Sequence, residues 1–318
     1  MSRDFAVASS VSEVASLVQP HLHEMNAVDA VVAGVLIAAA RSSGVAMGSV
    51  QVSVGGPGTG FHAIDGRVRQ PGFGVARPRG FEDAREVPAA ARVAVPTFAP
   101  ALAGVLGTFG TWTCTQVSTL AMPHAAGSPR TAWLKLFAHR GGSLLVGTAI
   151  GDCMQTAGGR LAGGVVTADD LARATTEVHA LSPALIDDET WLHTVPWGEP
   201  GEENLAYAHV VAAVDGRGTF AVATFEDRQD GVYVEELGMH LPGLAVPVMR
   251  GVPRVRPGEV LGGRASQGIV VRGGVACMAL GLARGAAISL VDAALLAGMQ
   301  SPGGVVGVHK DKTGASVF

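Results

Sequence analysis

The stretch Leu205-Ala-Tyr-Ala-His-Val-Val-Ala-Ala-Val-Asp-Gly-Arg-Gly218 decides how the rest of the chain is read. Its apolar, valine-rich middle over 208–214 has strand length, and the Asp215-Gly216 pair after it is a turn signal. The stretch therefore predicts a strand that begins near Tyr207 and folds back, about 215–218, on a second strand over 218–225. Downstream, 268–271 and 274–280 predict two more strands joined at Arg272-Gly273, followed by a helix over 286–297. Upstream, 193–204 is polar and carries Pro196, Gly198, Pro200 and Gly201, the composition of a linker.

Before that linker the signals are mostly helical. Apolar residues recur at helical spacing over 10–18 and, more strongly, over 26–40, where Asn26 is placed to cap the first turn. Strands at 49–54 and 61–65 flank Gly55-Gly-Pro-Gly-Thr-Gly60. That glycine cluster lies between strands and lacks the Lys-Ser/Thr of a phosphate-binding loop, so a hairpin turn is the expected reading. A proline- and glycine-rich loop over 71–96 precedes helical segments at 99–109, 115–122 and 133–137. Thr167 caps a further helix whose first turn holds Asp169 and Asp170, where the helix dipole favours acidic groups. Helices before the linker and antiparallel strands after it predict an α+β fold.

Composition narrows the function. With 48% apolar residues and 44 glycines, the chain has the material for a tightly packed core rather than a disordered state. A net charge of −4 with scattered basic residues offers no footprint for nucleic acid or an anionic membrane, which leaves a small molecule or a protein as the expected partner. The three cysteines (Cys114, Cys153, Cys277) show no CxxC spacing and suit small core residues better than a disulfide frame or a zinc site. His21 and His23 are too close in sequence to share a helix face, and no histidine falls in a metal-binding pattern, so neither metal nor cofactor is expected. The N-terminus does not read as a secretory signal and the apolar run over 27–40 is too short to span a bilayer, which makes the cytoplasm the expected location.

Several stretches resemble, in order, the gamma-glutamyltransferase family of N-terminal-nucleophile hydrolases. Asn26-Ala-Val-Asp-Ala30 is similar to the family's Gly-Gly-Asn-Ala-Val-Asp-Ala helix start, and Ser42-Ser-Gly44 to its Ser-Ser-Gly-Ile-Gly-Gly-Gly loop. Ala63-Ile-Asp-Gly-Arg67 with Pro71 resembles Ala-Ile-Asp-Gly-Arg-Glu-x-Ala-Pro, and Val95-Pro96 with 102–110 resembles the Val-Pro-Gly-Thr-Val-Ala-Gly-Leu helix. Gly163-Gly-Val-Val-Thr-Ala-Asp-Asp-Leu-Ala172 is similar to Gly-Gly-Leu-x-Thr-x-Glu-Asp-Leu-Ala, Ala208-His-Val-Val-Ala-Ala-Val-Asp-Gly216 to Thr-Thr-His-Phe-Ser-Val-Val-Asp, and Leu290-Val-Asp-Ala293 to Glu-Ala-Val-Asp-Ala. The resemblance implies a four-layer αββα sandwich over 1–318, with 1–196 matching the family's large subunit and 205–318 its small subunit, in a chain shorter than typical members.

In that family self-cleavage frees an N-terminal threonine that attacks a γ-glutamyl carbonyl. Matching Thr-Thr-His onto this chain puts Tyr207 at the nucleophile, Ala208 at the second threonine and His209 at the histidine. A phenol cannot carry out the N-to-O acyl shift that starts self-cleavage, so the expectation is an unprocessed chain without acyl-enzyme chemistry. The family's paired serines fall near Gly263 and Arg264, and its oxyanion-hole glycines at Arg284-Gly285. Arg67 stands at the arginine that clasps the substrate α-carboxylate, a task suited to the bidentate guanidinium.

Tyr207 and His209 are thus the candidate acid–base residues, with Arg67, Glu226, Arg264, Arg284 and Gly285 as candidate substrate contacts. Each has a plainer reading: Tyr207 as a pocket wall, His209 as a hydrogen-bonded core residue, the arginines as surface groups, Glu226 as a solvated strand end. The leading expectation is a repurposed biosynthetic enzyme acting on a small carboxylate or amino-acid-derived substrate, with a homo-oligomer among its expected states. The rivals are a non-catalytic metabolite-binding or partner-stabilising homologue, and an amide hydrolase whose nucleophile, Cys114 or Ser266 for instance, is displaced.

Overall fold

The run at 208–214 is strand β7 (Ala208–Val214), and both of its faces are covered. Side chains alternate across a strand, so Val210, Ala212 and Val214 enter one apolar cluster while Val211 and Ala213 enter another. A strand buried on both faces needs an unbroken apolar run, which is what the sequence supplies. The computed structural model describes residues 4–79, 81–197, 205–296 and 303–318.

β7 lies inside a six-stranded sheet with the order β1 (Ala6–Ser9), β7, β8 (Phe220–Glu226), β2 (Val50–Gly56), β3 (Gly60–Gly66) and β4 (Val178–Ala180). A second six-stranded sheet runs β14 (Gly314–Val317), β13 (Val305–Asp311), β12 (Val275–Leu282), β11 (Gln267–Arg272), β6 (Thr190–Thr194) and β5 (Ser182–Asp187). All neighbouring pairs in both sheets are antiparallel. β9 (Val232–Val234) and β10 (Met239–Leu241) form a separate hairpin. The chain before residue 197 and the chain after 204 each contribute strands to both sheets.

The sheets face each other across a cluster that includes Val210, Ala212, Phe220 and Val222 from the first and Ile269, Ala279 and Val308 from the second. Helices cover the other face of the first sheet. Chief among them is α2 (Ala27–Arg41), buried at every position except Arg41, as expected of a helix apolar all round. The helix lies close to β7 at Gly34, where an added Cβ would come within 2.9 Å of a Val211 methyl. Across the second sheet lies the last helix (Leu290–Leu296), whose Leu290, Ala293 and Ala294 pack on Leu192, Val270 and Leu280.

Asn26 caps α2 as the sequence predicts, in a reciprocal capping box with Asp29, and Thr167 forms the same device with Asp170. The helix expected over 10–18 is shorter, Val14–Val18, and the chain just before it, Ala6–Ser9, is strand β1, which pairs with the distant Val211–Val214. The segment read as a linker also divides: its first residues, His193 and Thr194, complete β6, while 198–204 fall outside the described residues. The helix expected over 286–297 begins later, at Leu290.

Candidate functional site

The start of β7 lies at one end of the space between the two sheets. Ala208 pairs with Glu226, the Glu226 N–H donates to the Ser49 carbonyl at 3.0 Å, and Ser49 and Arg67 directly flank the paired residues Val50 and Gly66. Strand alternation therefore sets Ala208, Glu226, Ser49 and Arg67 in one row on the face turned toward the second sheet. One level deeper the row is Val210, Thr224, Gln51 and Asp65. At the strand spacing of about 4.8 Å, Arg67 and Glu226 stand on the order of 10 Å apart.

Arg67 is buried and donates from Nε and Nη2 to the two oxygens of Asp65, at 2.9 and 2.7 Å. Its guanidinium carbon lies 5.0 Å from the Trp197 ring centre. Asp65 thus occupies one edge of the fork and leaves Nη1 as the portion it does not engage. Trp197 donates its indole N–H to Gln51 Oε1 at 2.5 Å, and that oxygen also accepts the Ala265 N–H at 3.0 Å. Gln51 Nε2 donates to the Gly263 carbonyl at 3.0 Å, so one side chain ties β2 to the segment leading into β11.

Glu226 is 5% exposed, and its Oε2 has no hydrogen-bond partner. Burial pushes its carboxyl pKa up, against smaller downward pulls from Arg228, Ser49 and the Gly263 backbone. Thr224 Oγ1 and Gln267 Oε1 are likewise buried and unpartnered. Unsatisfied polar atoms between packed sheets are costly, and their concentration here marks this end of the inter-sheet space as chemically distinct from the apolar remainder.

Tyr207 precedes the row. It is half-buried, with the Arg228 guanidinium carbon 4.1 Å from its ring centre and its carbonyl accepting the Asp227 N–H at 3.0 Å. His209 projects to the opposite face of β7, toward the helices. There its ring stacks on Phe225 and its Nδ1 lies 3.4 Å from Ser10 Oγ. Burial lowers its pKa, Asp227 raises it and Arg284 lowers it. Arg284 and Gly285 are exposed after β12, although the Arg284 N–H donates to the Ala208 carbonyl at 2.8 Å. Arg264 is exposed before β11. The structure therefore brings Arg67 and Glu226 onto one face, sets Tyr207 beside it and turns His209 away. The Arg264 and Arg284 side chains stay at the surface.

Sequence reasoning missed Asp65, Gln51 and Trp197. Asp65 was within reach of a local signal, since residues two apart on a strand share a face. A tryptophan in a stretch otherwise read as a polar linker was the signal for Trp197. Ser266 is buried, and the three cysteines are unpaired, their thiols pushed up first by burial. Among the described residues no group of three or more His, Cys, Asp or Glu side chains is placed to hold a metal ion, and no helix is long and apolar enough to cross a membrane.

The raised carboxyl pKa of Glu226 has a thermodynamic consequence. Its contribution to stability is complete below the ordinary value of 4.5 and is lost as pH rises through the higher folded-state value. Glu226→Gln removes that loss. The variant is expected to gain stability relative to the parent on going from pH 4.5 to pH 8, by about 1.4 kcal/mol for each unit of upward shift. Urea unfolding at the two pH values measures it, and parallel pH profiles for parent and variant would refute it.

The comparisons with known proteins agree with this architecture. No protein-family model matches the chain, and no curated protein sequence does. Solved structures do. A cephalosporin acylase from Bacillus halodurans superposes with a TM-score of 0.69 at 14% identity, over 88% of this chain and 77% of that one. A gamma-glutamyltranspeptidase from Pseudomonas nitroreducens, complexed with L-DON, superposes with a TM-score of 0.52 at 17% identity, over 60% of this chain and 71% of that one. Both are N-terminal-nucleophile hydrolases, so the chain has a mixed α and β fold with antiparallel sheets similar to theirs. At this identity the likeness is one of fold, and fold alone does not fix a reaction.

Proposed function

We propose that this protein is a gamma-glutamyltransferase-like member of the N-terminal-nucleophile hydrolases, a four-layer αββα sandwich that is not self-processed and acts on a small carboxylate or amino-acid-derived substrate. What supports the reading is the row at the start of β7: Arg67, which the sequence resemblance sets at the carboxylate-clasping position, shares a face with Ala208 and Glu226, and Tyr207 and Ala208 stand where the resemblance calls for the two threonines. Neither a phenol nor a methyl group can start the acyl shift or serve as the N-terminal nucleophile.

In this reading the Arg67 edge not engaged by Asp65 orients the anionic end of the substrate. Glu226, whose carboxyl burial shifts toward the protonated form, donates to a developing negative charge, and the unpartnered Thr224 and Gln267 oxygens accept from polar substrate groups. Tyr207 stands beside the row, under Arg228. His209 anchors the strand to Ser10 instead of meeting substrate.

Intact-mass measurement tests the core of the proposal. The purified protein is expected to remain a single chain of 32.3 kDa after prolonged incubation and to form no covalent adduct with an electrophilic glutamine analogue. Cleavage near Tyr207, or a stoichiometric adduct, would overturn it in favour of an amide hydrolase with a displaced nucleophile.

A further inference from the structure

Two residues beyond Arg67 the chain carries a second arginine in a different electrostatic state. The backbone of Arg69 is held on both sides, exchanging N–H and carbonyl hydrogen bonds with Val95 at 2.8 and 2.9 Å and bridging to Val260. Its side chain is half-buried and lines a cavity of about 450 Å³ together with Phe73, Asp170, Arg173, Thr175 and Glu177. Among the described residues the Arg69 guanidinium forms no ion pair or hydrogen bond, in contrast to Arg67, whose fork Asp65 neutralises.

The other charges around the cavity are unequal in availability. Asp170 is fully engaged, accepting the Gly72 and Phe73 N–H groups on one oxygen and the Thr167 N–H and hydroxyl on the other. Arg173 is committed to Asp169 at 2.9 Å and lies over the Phe73 ring. Glu177 is exposed, and His179 Nε2 lies 3.9 Å from its Oε2, a contact too long for a hydrogen bond. One positive and one negative group are thus left without a side-chain hydrogen bond among the described residues, beside an aromatic wall, in a cavity of the size that takes small ligands.

We infer that this cavity binds a small zwitterion of the amino-acid class, with its carboxylate on Arg69 and its ammonium on Glu177. The inference goes beyond the proposed function. It places a recognition site on the segment after β3 and the segment after the Ala168–Ala172 helix, and it stands on groups that the Arg67 row does not use. A planar guanidinium can bind a carboxylate bidentately, and Glu177 selects against ligands that lack a cationic end.

Titration calorimetry on the full chain tests it with L-glutamine, N-acetyl-L-glutamine and L-glutaminamide, followed by the remaining common amino acids as probes. The expected result is binding of at least one free amino acid, weakened tenfold or more by Arg69→Ala and by Glu177→Gln. Arg69→Ala is expected to abolish the preference for the acid over its amide, and Glu177→Gln the preference for the free amine over its N-acetyl form. Arg69→Lys, which keeps the charge without the fork, recovers part of the affinity and guards against a loss caused by misfolding. Absence of binding by every probe, or affinity unchanged in Arg69→Ala, overturns the inference. Affinity lost in Arg67→Ala but retained in Arg69→Ala overturns it too while leaving the proposed function standing, whereas self-cleavage in the mass measurement removes that function without touching this site.

Discussion

Arg67→Ala is expected to destabilise the protein by about 3–5 kcal/mol, the scale for removing one partner of a buried ion pair. The side chains of Arg67 and Asp65 are only 10% and 6% exposed, so the substitution strands the Asp65 carboxylate between the sheets. It also removes the cation above Trp197, whose indole is bonded to Gln51 and through it to Gly263 and Ala265. Removing both charges with Asp65→Ala in the same chain is expected to recover at least half of the loss, because no lone charge then remains buried. Guanidinium unfolding of the parent, the two single variants and the double variant closes the cycle. If Arg67 served only as a ligand clasp at an open surface, its removal would leave stability unchanged and the cycle would show no coupling.

The same comparison decides how a functional test at this position is read. Lost activity in Arg67→Ala alone mixes a damaged fold with a missing substrate contact. The double variant separates them: restored stability without restored affinity assigns Arg67 to the ligand, and restoration of both assigns it to the fold. Arg67→Lys adds a finer distinction, since an ammonium keeps the charge opposite Asp65 but cannot make the paired contact of the guanidinium.

The parts of the fold that were legible in the sequence are those whose signals are local. The valine-rich run of β7, the cap at Asn26 and the turn at Gly55–Gly60 each announce themselves within a few residues. β5 and β6 did not, because most of β5 is solvent-exposed and shows no alternation, and β6 exists by pairing with β11, which is distant in sequence. β1 was hidden for the same reason: Ala6-Val-Ala8 becomes a strand by adding to β7, and nothing in its own four residues demands it. In the candidate site, Arg67, Glu226 and Tyr207 were found through the family resemblance. The commitment of Arg67 to Asp65, the tie from Trp197 to Gln51 and the turning of His209 toward the helices depend on burial and facing direction, which a linear reading does not supply. The contrast between the neutralised Arg67 and the unpaired Arg69 belongs to the same class, since both are arginines two residues apart in sequence.

Asp29 carries the second large effect. It is fully buried in the first turn of α2, where the sequence offers it as part of the Asn26-Ala-Val-Asp-Ala30 helix start. The structure gives it a longer reach. Its carboxylate accepts the Asn26 N–H at 3.0 Å, the Thr111 N–H at 2.9 Å, the Trp112 N–H at 3.0 Å and the Thr111 hydroxyl, while Asn26 Nδ2 donates to the Phe109 carbonyl at 2.8 Å. The turn after the helix at Phe98–Phe109 is thereby clamped to the start of the helix that supports β7. Packing is tight there, since an added Cβ at Gly110 would come within 2.7 Å of an Asp29 oxygen. Asp29→Ala leaves three backbone donors and a hydroxyl without their acceptor, and hydrogen bonds to a charged acceptor contribute about 1.5–3 kcal/mol each when they do not share the loss. Shared relaxation lowers the sum, and the expected destabilisation is about 4 kcal/mol. Asp29→Asn keeps one acceptor oxygen and turns an amide donor against the remaining N–H groups, so its expected loss is about half as large. Urea unfolding distinguishes the outcomes. A loss under about 1 kcal/mol for Asp29→Ala would mean that solvent replaces the carboxylate and that the clamp contributes little, whereas the expected loss makes the first turn of α2 a fixed point at the far end of β7, where the Ala27 N–H donates to Asp215 just after the strand.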